Sequence, residues 1–406
     1  MTYNTSMKAR YQYRIYPNDQ QRKDLNKLFG CVRVVWNDAL ALCKHSEKLP
    51  KNSDLQKICI TQAKKTALRE WLGEVSNIPL QQSIADLGVA FNNFFASRKG
   101  ERKGAKINPP KFKKKGNRQT ARFRKGGFSI KASSVYLAKI GCIKTKWSRP
   151  LPSQASSVTV IKDCAGRYFL SFVVEVEPEF RPTQKPAVGI DLGLKTFAAL
   201  SSGEKVCSPD YSKLDRKIRR SQRKLSRRQK DSKRREQMRR RVARLKAKLR
   251  DTRKDFLHKL STKVVIENQV ISLEDLNVSG MLKNRCLSRA ISQAGWRDFR
   301  TMCEAKSNKF GREFVVISRW EPTSQTCSDC GYRWGKLDLS VREIVCINCG
   351  THHDRDDNAS KNIEQVGVGH IHDSKRTGRE CKTEVSAVPA ELSTQREYEQ
   401  LKLFDW

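Results

Sequence analysis

Two cysteine pairs, Cys327-x-x-Cys330 and Cys346-x-x-Cys349, stand fifteen residues apart in a chain of 406. Four thiolates at this spacing suit one tetrahedral zinc gripped by two turns, and each pair is followed by the glycine that a knuckle turn needs, Gly331 and Gly350. A redox pair would stand alone and open a helix, so the spacing predicts metal. Four sulfurs close the coordination shell, which makes the zinc structural and leaves no open position for chemistry. His352 and His353, just past the fourth cysteine, are then supporting residues and not ligands. The other nine cysteines are scattered singly, and no disulfide framework is expected where thiols stay reduced.

Carboxylates form the second candidate set. AVGIDLGLKTFAAL (187–200) places Asp191 between two short apolar strands, and VISLEDLNV (270–278) ends an apolar strand on Glu274 and Asp275. HDRDDNASKNI (353–363) gathers Asp354, Asp356 and Asp357 at a helix start. Capping and the helix dipole account for one or two of the last three, and a lone aspartate at a strand end can bond nearby backbone. All of them together, in a basic chain, are what a two-metal phosphodiesterase requires. Hard magnesium ions take oxygen ligands and sit between attacking water and leaving oxygen. Glu267, in VVIENQV (264–270), offers an alternative to Glu274 on a similar apolar run.

Charge identifies the partner. Lys and Arg number 82 against 42 acids, a net +40, which suits a chain that neutralises many phosphates. Anionic lipid would call for a basic amphipathic helix or a lipidation site at an end, and neither end supplies one. No apolar run approaches a membrane span, and the polar start MTYNTSMKAR lacks a signal-peptide core. No membrane partner is expected. The protein should stay in the cytoplasm and act at the nucleoid.

The elements that must position these residues are partly periodic. RYQYRIY (10–16) alternates as a strand, closed by Pro17 and Asn18. Leu25, Leu28, Phe29, Val32, Val35, Trp36 and Leu40 recur at three and four, which predicts a helix from Asp19 to about His45. Leu80, Ile84, Leu87, Phe91 and Phe94 mark a second helix, with Pro79 in its first turn. Residues 98–126 form a basic connector expected to touch phosphate. Residues 157–161 and 168–177 alternate as strands, and RPTQKP (181–186) reads as a boundary. The segment 213–254 holds 22 Lys or Arg and four acids. Its apolar residues Leu214 and Ile218, then Met238, Val242, Leu245 and Leu249, predict a helical hairpin broken near Asp231, with a polyanion along its basic faces.

The order GIDLG, LEDLNV, C-x-x-C…C-x-x-C, HDRDDNASKNI resembles the nuclease half of the TnpB family, transposon-encoded relatives of type V CRISPR effectors. RKLSRR, FLHKLST, SQAGWRDF, SQTCSDCG and LQQSIADLGVAFNNFF extend the resemblance over nearly the whole chain to about residue 367. It implies an α/β fold: an RNase H-like (RuvC) nuclease domain (184–320 and 353–367) with an inserted zinc ribbon (321–352). It further implies an N-terminal wedge-like β-barrel (1–17 and 121–183) interrupted by a helical recognition module (18–120). Carried over residue by residue, the catalytic acids fall on Asp191, Glu274 and Asp356, and Glu274 is preferred to Glu267 because only it continues into DLNV. They would hold two Mg2+ ions, with Asp191 bridging, for in-line attack of water on the phosphodiester, and one Zn2+ would stay structural. The implied partners are a guide RNA and target double-stranded DNA opened beside a short motif, near which Gln81 falls. A monomer is favoured.

The rivals are an RNA-guided DNA-binding regulator that no longer cuts and an autonomous DNA transposase. A dead descendant would have lost a metal acid, and all three are present. Residues 368–406 match nothing in the family, and their low apolar content predicts disorder. His370-Ile371-His372, within them, is similar to the metal pair of single-strand transposases but lacks the sheet and the tyrosine-bearing helix that such a pair needs.

Overall fold

The computed structural model describes residues 7–377 apart from 103, 105, 180, 181, 183, 184 and 339. The chain divides into two compact units, one over Lys8–Val176 and the other from Glu177 onward. The division falls slightly ahead of the boundary expected at 181–186. No helix among the described residues is long and apolar enough to cross a membrane.

The first unit begins with β1 (Met7–Ile15) and α1 (Asp19–His45). Asn18 starts α1 with a capping box: its Oδ1 accepts Gln21 N at 2.8 Å, and Gln21 Oε1 accepts Asn18 N at 3.0 Å. The short α2 (Asn52–Gln56) leads to α3 (Asn77–Arg98), with Pro79 in its first turn as expected. Between Arg98 and Gln119 the described residues of the basic connector form no helix or strand, and its last part, Gln119–Arg124, is a strand, yet the connector is not loose. Lys113 N donates to Asn37 Oδ1 at 2.8 Å, the Trp36 indole donates to Lys111 O at 3.1 Å, and Lys113 Nζ lies 3.6 Å from the Trp36 ring centroid.

Strands β2 (Gln119–Arg124), β3 (Phe128–Ile130), β4 (Ser134–Leu137), β5 (Gly141–Lys146), β6 (Ser157–Lys162) and β7 (Tyr168–Val176) join β1 in one sheet of order β2-β6-β7-β1-β5-β4-β3. Its edge strands β2 and β3 are consecutive in the chain. Lying flat, seven strands would hold them roughly 29 Å apart, but the turn at 125–127 spans at most about 14 Å. The sheet therefore curls toward a barrel. The expected barrel and helical insert share one core, in which Leu25, Val35, Leu80 and Ile84 from the helices join Phe123, Val158 and Phe172 from the strands.

The second unit is α/β. In chain order it comprises β8 (Lys185–Asp191), β9 (Ala198–Leu200), β10 (Lys205–Val206), α4 (Ser212–Ser226), α5 (Lys233–Glu267), β11 (Asn268–Glu274), α6 (Val278–Met281) and α7 (Ser288–Ala294). It continues through α8 (Trp296–Phe310), β12 (Glu313–Ile317), β13 (Glu343–Val345), β14 (His352–Asp354) and α9 (Arg355–Thr377). The expected basic hairpin is α4 and α5, broken where Asp231 adopts φ +64°. The sheet order is β10-β9-β8-β11-β12, with β8, β11 and β12 parallel and β9 and β10 antiparallel to their neighbours.

Both faces of this sheet are covered, so consecutive residues of β8 and β11 are buried on opposite sides. Val188, Ile190, Ile271 and Leu273 face a core with Leu257 and Val264 of α5 and Trp296, Phe299 and Cys303 of α8. Helix α9 packs on β8 and β11, where Gly189 and Ser272 alternate with those core residues. The expected disorder from residue 368 is corrected: α9 continues to Thr377, so His370-Ile371-His372 is helical, and the rest of that tail lies outside the described residues.

Candidate active site

Parallel pairing sets two of the three acids side by side. Ile190 pairs with Leu273, so Asp191 and Glu274, one residue further on, end adjacent strands and point away from the apolar core. Asp356 arrives from the first turn of α9, which crosses the same two strands. Burial, and next the charges of Glu274 and Asp356, push the Asp191 carboxyl up to about 7. Burial also raises Glu274, opposed by a hydrogen bond in which Thr323 Oγ1 donates to Glu274 Oε1 at 2.9 Å. Such mutual repulsion is relieved by cations, and the all-oxygen donor set fits magnesium.

The neighbouring acids divide as capping and ion pairing dictate. Asp354 Oδ1 accepts the backbone N–H of Asp356 at 3.0 Å and of Asp357 at 3.1 Å, so it caps α9. Lys205 Nζ lies 2.8 Å from Asp354 and 3.4 Å from Asp357. Asp275 pairs with Arg300 at 2.7 Å and with Arg319, and these guanidiniums hold its carboxyl below the ordinary value although burial pushes the other way. Glu267 is the last residue of α5, at the opposite end of β11 from Glu274. VVIENQV is thus a helix end followed by a strand start. Gln81 lies exposed on α3 of the first unit, while its neighbour Gln82 is buried and donates to Asp86 at 3.1 Å.

The ribbon is built as its spacing predicts. The Sγ atoms of Cys327, Cys330, Cys346 and Cys349 lie within 4.8 Å of one another. The 3.7 Å between Cys327 and Cys349 and the 3.6 Å between Cys330 and Cys346 suit the edges of a tetrahedron with bonds of about 2.3 Å. Gly331 and Gly350 adopt φ +75° and +74°, and their amides donate back to the carbonyls of Cys327 and Cys346. His353 is buried with Nε2 3.1 Å from Cys327 Sγ, a supporting contact to a closed four-sulfur site.

Long-range contacts tie this ribbon to the acids. Asn358 Oδ1 of α9 accepts Ser328 N at 2.9 Å, and Asn362 Nδ2 donates to Thr323 O at 2.7 Å and Thr326 O at 2.8 Å. Strand β14 feeds directly into the α9 turn that carries Asp356, whose Oδ1 accepts from Arg342 at 3.3 Å. Thr323, Asn358, Asn362 and Arg342 carry no local signal of this role, because each acts on a partner distant in sequence.

Comparison with known proteins shows the family. Three family models match: "Probable transposase" over residues 171–285, "Cas12f1-like, TNB domain" over 296–363 and "Helix-turn-helix domain" over 7–48, a span folded here as β1 and α1. The chain is 41% identical over 390 residues to a Streptomyces pristinaespiralis protein named "Putative RNA-guided DNA endonuclease", covering 92% of this chain and 95% of that one. It is 29% identical over 381 residues to the Escherichia coli K12 protein bearing that description and the name InsQ, covering 88% and 92%. It is 26% identical over 391 residues to TnpB-like protein L770 of Acanthamoeba polyphaga mimivirus, covering 87% and 72%. Among solved structures, the Cas12f1-sgRNA-target DNA complex shares the fold with a TM-score of 0.53 at 13% identity, covering 88% of this chain and 98% of that one. Fold and site together define a transposase-related protein with an inserted ribbon domain. The chain belongs to the TnpB family.

Proposed function

We propose that this protein is an RNA-guided DNA endonuclease that hydrolyses phosphodiesters at Asp191, Glu274 and Asp356. The observation that carries the proposal is the convergence of three acids, from β8, β11 and α9, on one edge of a sheet, with Asp191 pushed up to about 7 by burial and by the other two. The strand order and directions of the second unit support an RNase H-like (RuvC) class for it. When bound at these carboxylates, two Mg2+ ions would polarise the phosphate and activate water. The chain's own part is positional: Thr323 holds Glu274, Asp354 caps the helix that presents Asp356, and the ribbon, with Zn2+ on its four cysteines, anchors both.

A guide RNA and target DNA as partners are supported by the +40 charge, by the basic faces of α4 and α5, and by the family's named members. Gln81, exposed on α3, is assigned to reading the flanking DNA motif. The cytoplasm, acting at the nucleoid as a monomer, is the assigned setting. The test is cleavage of a guide-matched target by protein purified with its copurifying RNA. Asp191→Ala should abolish cutting and leave RNA and target binding unchanged. Retained cutting in that variant overturns the acid assignment, and strand joining without RNA would favour a transposase.

A further inference from the structure

At Glu274 the second unit has a groove of about 450 Å³, whose lining includes the apolar Leu276, Val278 and Trp296 and the basic Arg300 and Arg319. Glu274 of the acid site also lines the groove, so the two adjoin, while these five residues belong to neither the acid site nor the ribbon. The two guanidiniums are held together by Asp275, which meets Arg300 at 2.7 Å and Arg319 on its other oxygen. Two positive charges against one negative leave the pair with a surplus positive charge, and each guanidinium has five N–H donors. No other acceptor is recorded for either among the described residues, so most of those donors can serve a ligand. The next residue, Trp320, sits in the turn after β12 and is 84% exposed, the largest exposure of any bulky apolar residue described. Trp296 is buried in the groove wall, and its indole N–H has no partner among the described residues.

An apolar wall, a guanidinium pair and an exposed indole within a few residues match the chemistry of an unstacked nucleotide. The phosphate takes charge-assisted hydrogen bonds, while the base needs an aromatic face that a duplex would deny it. We propose that this groove is a subsite for one single-stranded nucleotide next to the cut phosphodiester, with Arg300 and Arg319 on its phosphate and Trp320 stacked on its base. Asp275 is a positioning residue that fixes both guanidiniums. Only the placement relative to the cut rests on the endonuclease reading; binding of a single strand does not.

Two measurements on the full chain, with its zinc and copurified RNA, test this. In the first, a single uncharged methylphosphonate is moved one linkage at a time along the strand that is cut. One position beside the cut should raise KM roughly tenfold with little change in kcat, and that effect should disappear in Arg300→Gln/Arg319→Gln. An interference profile unchanged by the double substitution overturns the proposal. In the second, a short oligothymidylate is added and tryptophan fluorescence is recorded for the chain and for Trp320→Phe. The difference, which isolates Trp320, should be quenched in the parent and not in the arginine variant. Absence of quenching, or quenching indifferent to the arginines, overturns the subsite. A chain that cuts nothing but shows arginine-dependent quenching refutes the nuclease reading and leaves the subsite standing.

Discussion

Thr323 joins three parts of the second unit: its own loop, the end of β11 and α9; its hydroxyl serves the strand. The hydroxyl donates to Glu274, while the Thr323 carbonyl accepts from Asn362 at 2.7 Å and from Asn358 at 3.5 Å on α9. A carboxylate at a strand end is otherwise free to turn, and outer partners of this kind fix the direction in which a ligand points. Thr323→Val should therefore raise the Mg2+ concentration needed for half-maximal cleavage by about tenfold or more, with thermal unfolding little changed. Thr323→Ser keeps the hydroxyl and should restore most of the affinity. If the two variants titrate alike, the hydroxyl is not what holds Glu274.

At the scale of elements, the approach of α9 to the sheet decides where Asp356 sits. A Cβ on Gly189 would stand 2.0 Å from Ser360 O and 2.4 Å from Glu364 N, both backbone atoms that no rotamer change can move aside. On the helix side, a Cβ on Gly367 would stand 2.0 Å from Ser272 Oγ. The absence of side chains at these positions lets helix backbone lie directly on strand backbone. Gly189→Ala should push α9 outward at a cost of about 1–3 kcal/mol. Cleavage should fall more than tenfold because Asp356 moves with the helix, while zinc content stays at one per chain. Chemical denaturation alongside a cleavage assay checks both, and full activity in a destabilised variant would detach Asp356 placement from this contact.

At the scale of the whole molecule, the four-cysteine ribbon and the proposed acid site are tied to one helix. The ribbon lies between β12 and α9, and its knuckles hold Asn358 and Asn362 through the backbone of Thr323, Thr326 and Ser328. Removing zinc with a chelator should abolish cleavage even in saturating Mg2+, because Asp356 loses its anchor. The unit over Lys8–Val176 has its own core of Leu25, Phe123 and Phe172, so its unfolding transition should survive chelation. Calorimetry with and without chelator reads the transitions, and an activity assay after zinc is restored reads recovery. Cleavage that persists without zinc would make the ribbon dispensable to the acids.

Much of this was legible locally. The three-four stripe predicted α1 with the bounds observed, and Pro79 marked the first turn of α3, because periodicity and first-turn preferences depend on neighbours in sequence. The strands ending on Asp191 and Glu274 and the knuckle glycines were legible for the same reason. One local pattern left an alternative open and one misled. VVIENQV opens on only three apolar residues, too short a run for periodicity to separate the end of α5 from the start of β11. The low apolar content after residue 367 suggested disorder, yet α9 already rests on the sheet and carries its helix on to Thr377.

By itself, then, the sequence determined the four sulfurs, the acids as residue types, the basic hairpin and the approximate bounds of α1, β6 and β7, all properties of short segments. Tertiary structure decided which acids meet. It set Asp191 beside Glu274 through strand register, brought in Asp356 over Gly189, gave Thr323 to Glu274, and gathered Arg300 and Arg319 around Asp275. These contacts join residues far apart in the chain, and only the path of the folded backbone brings them within reach.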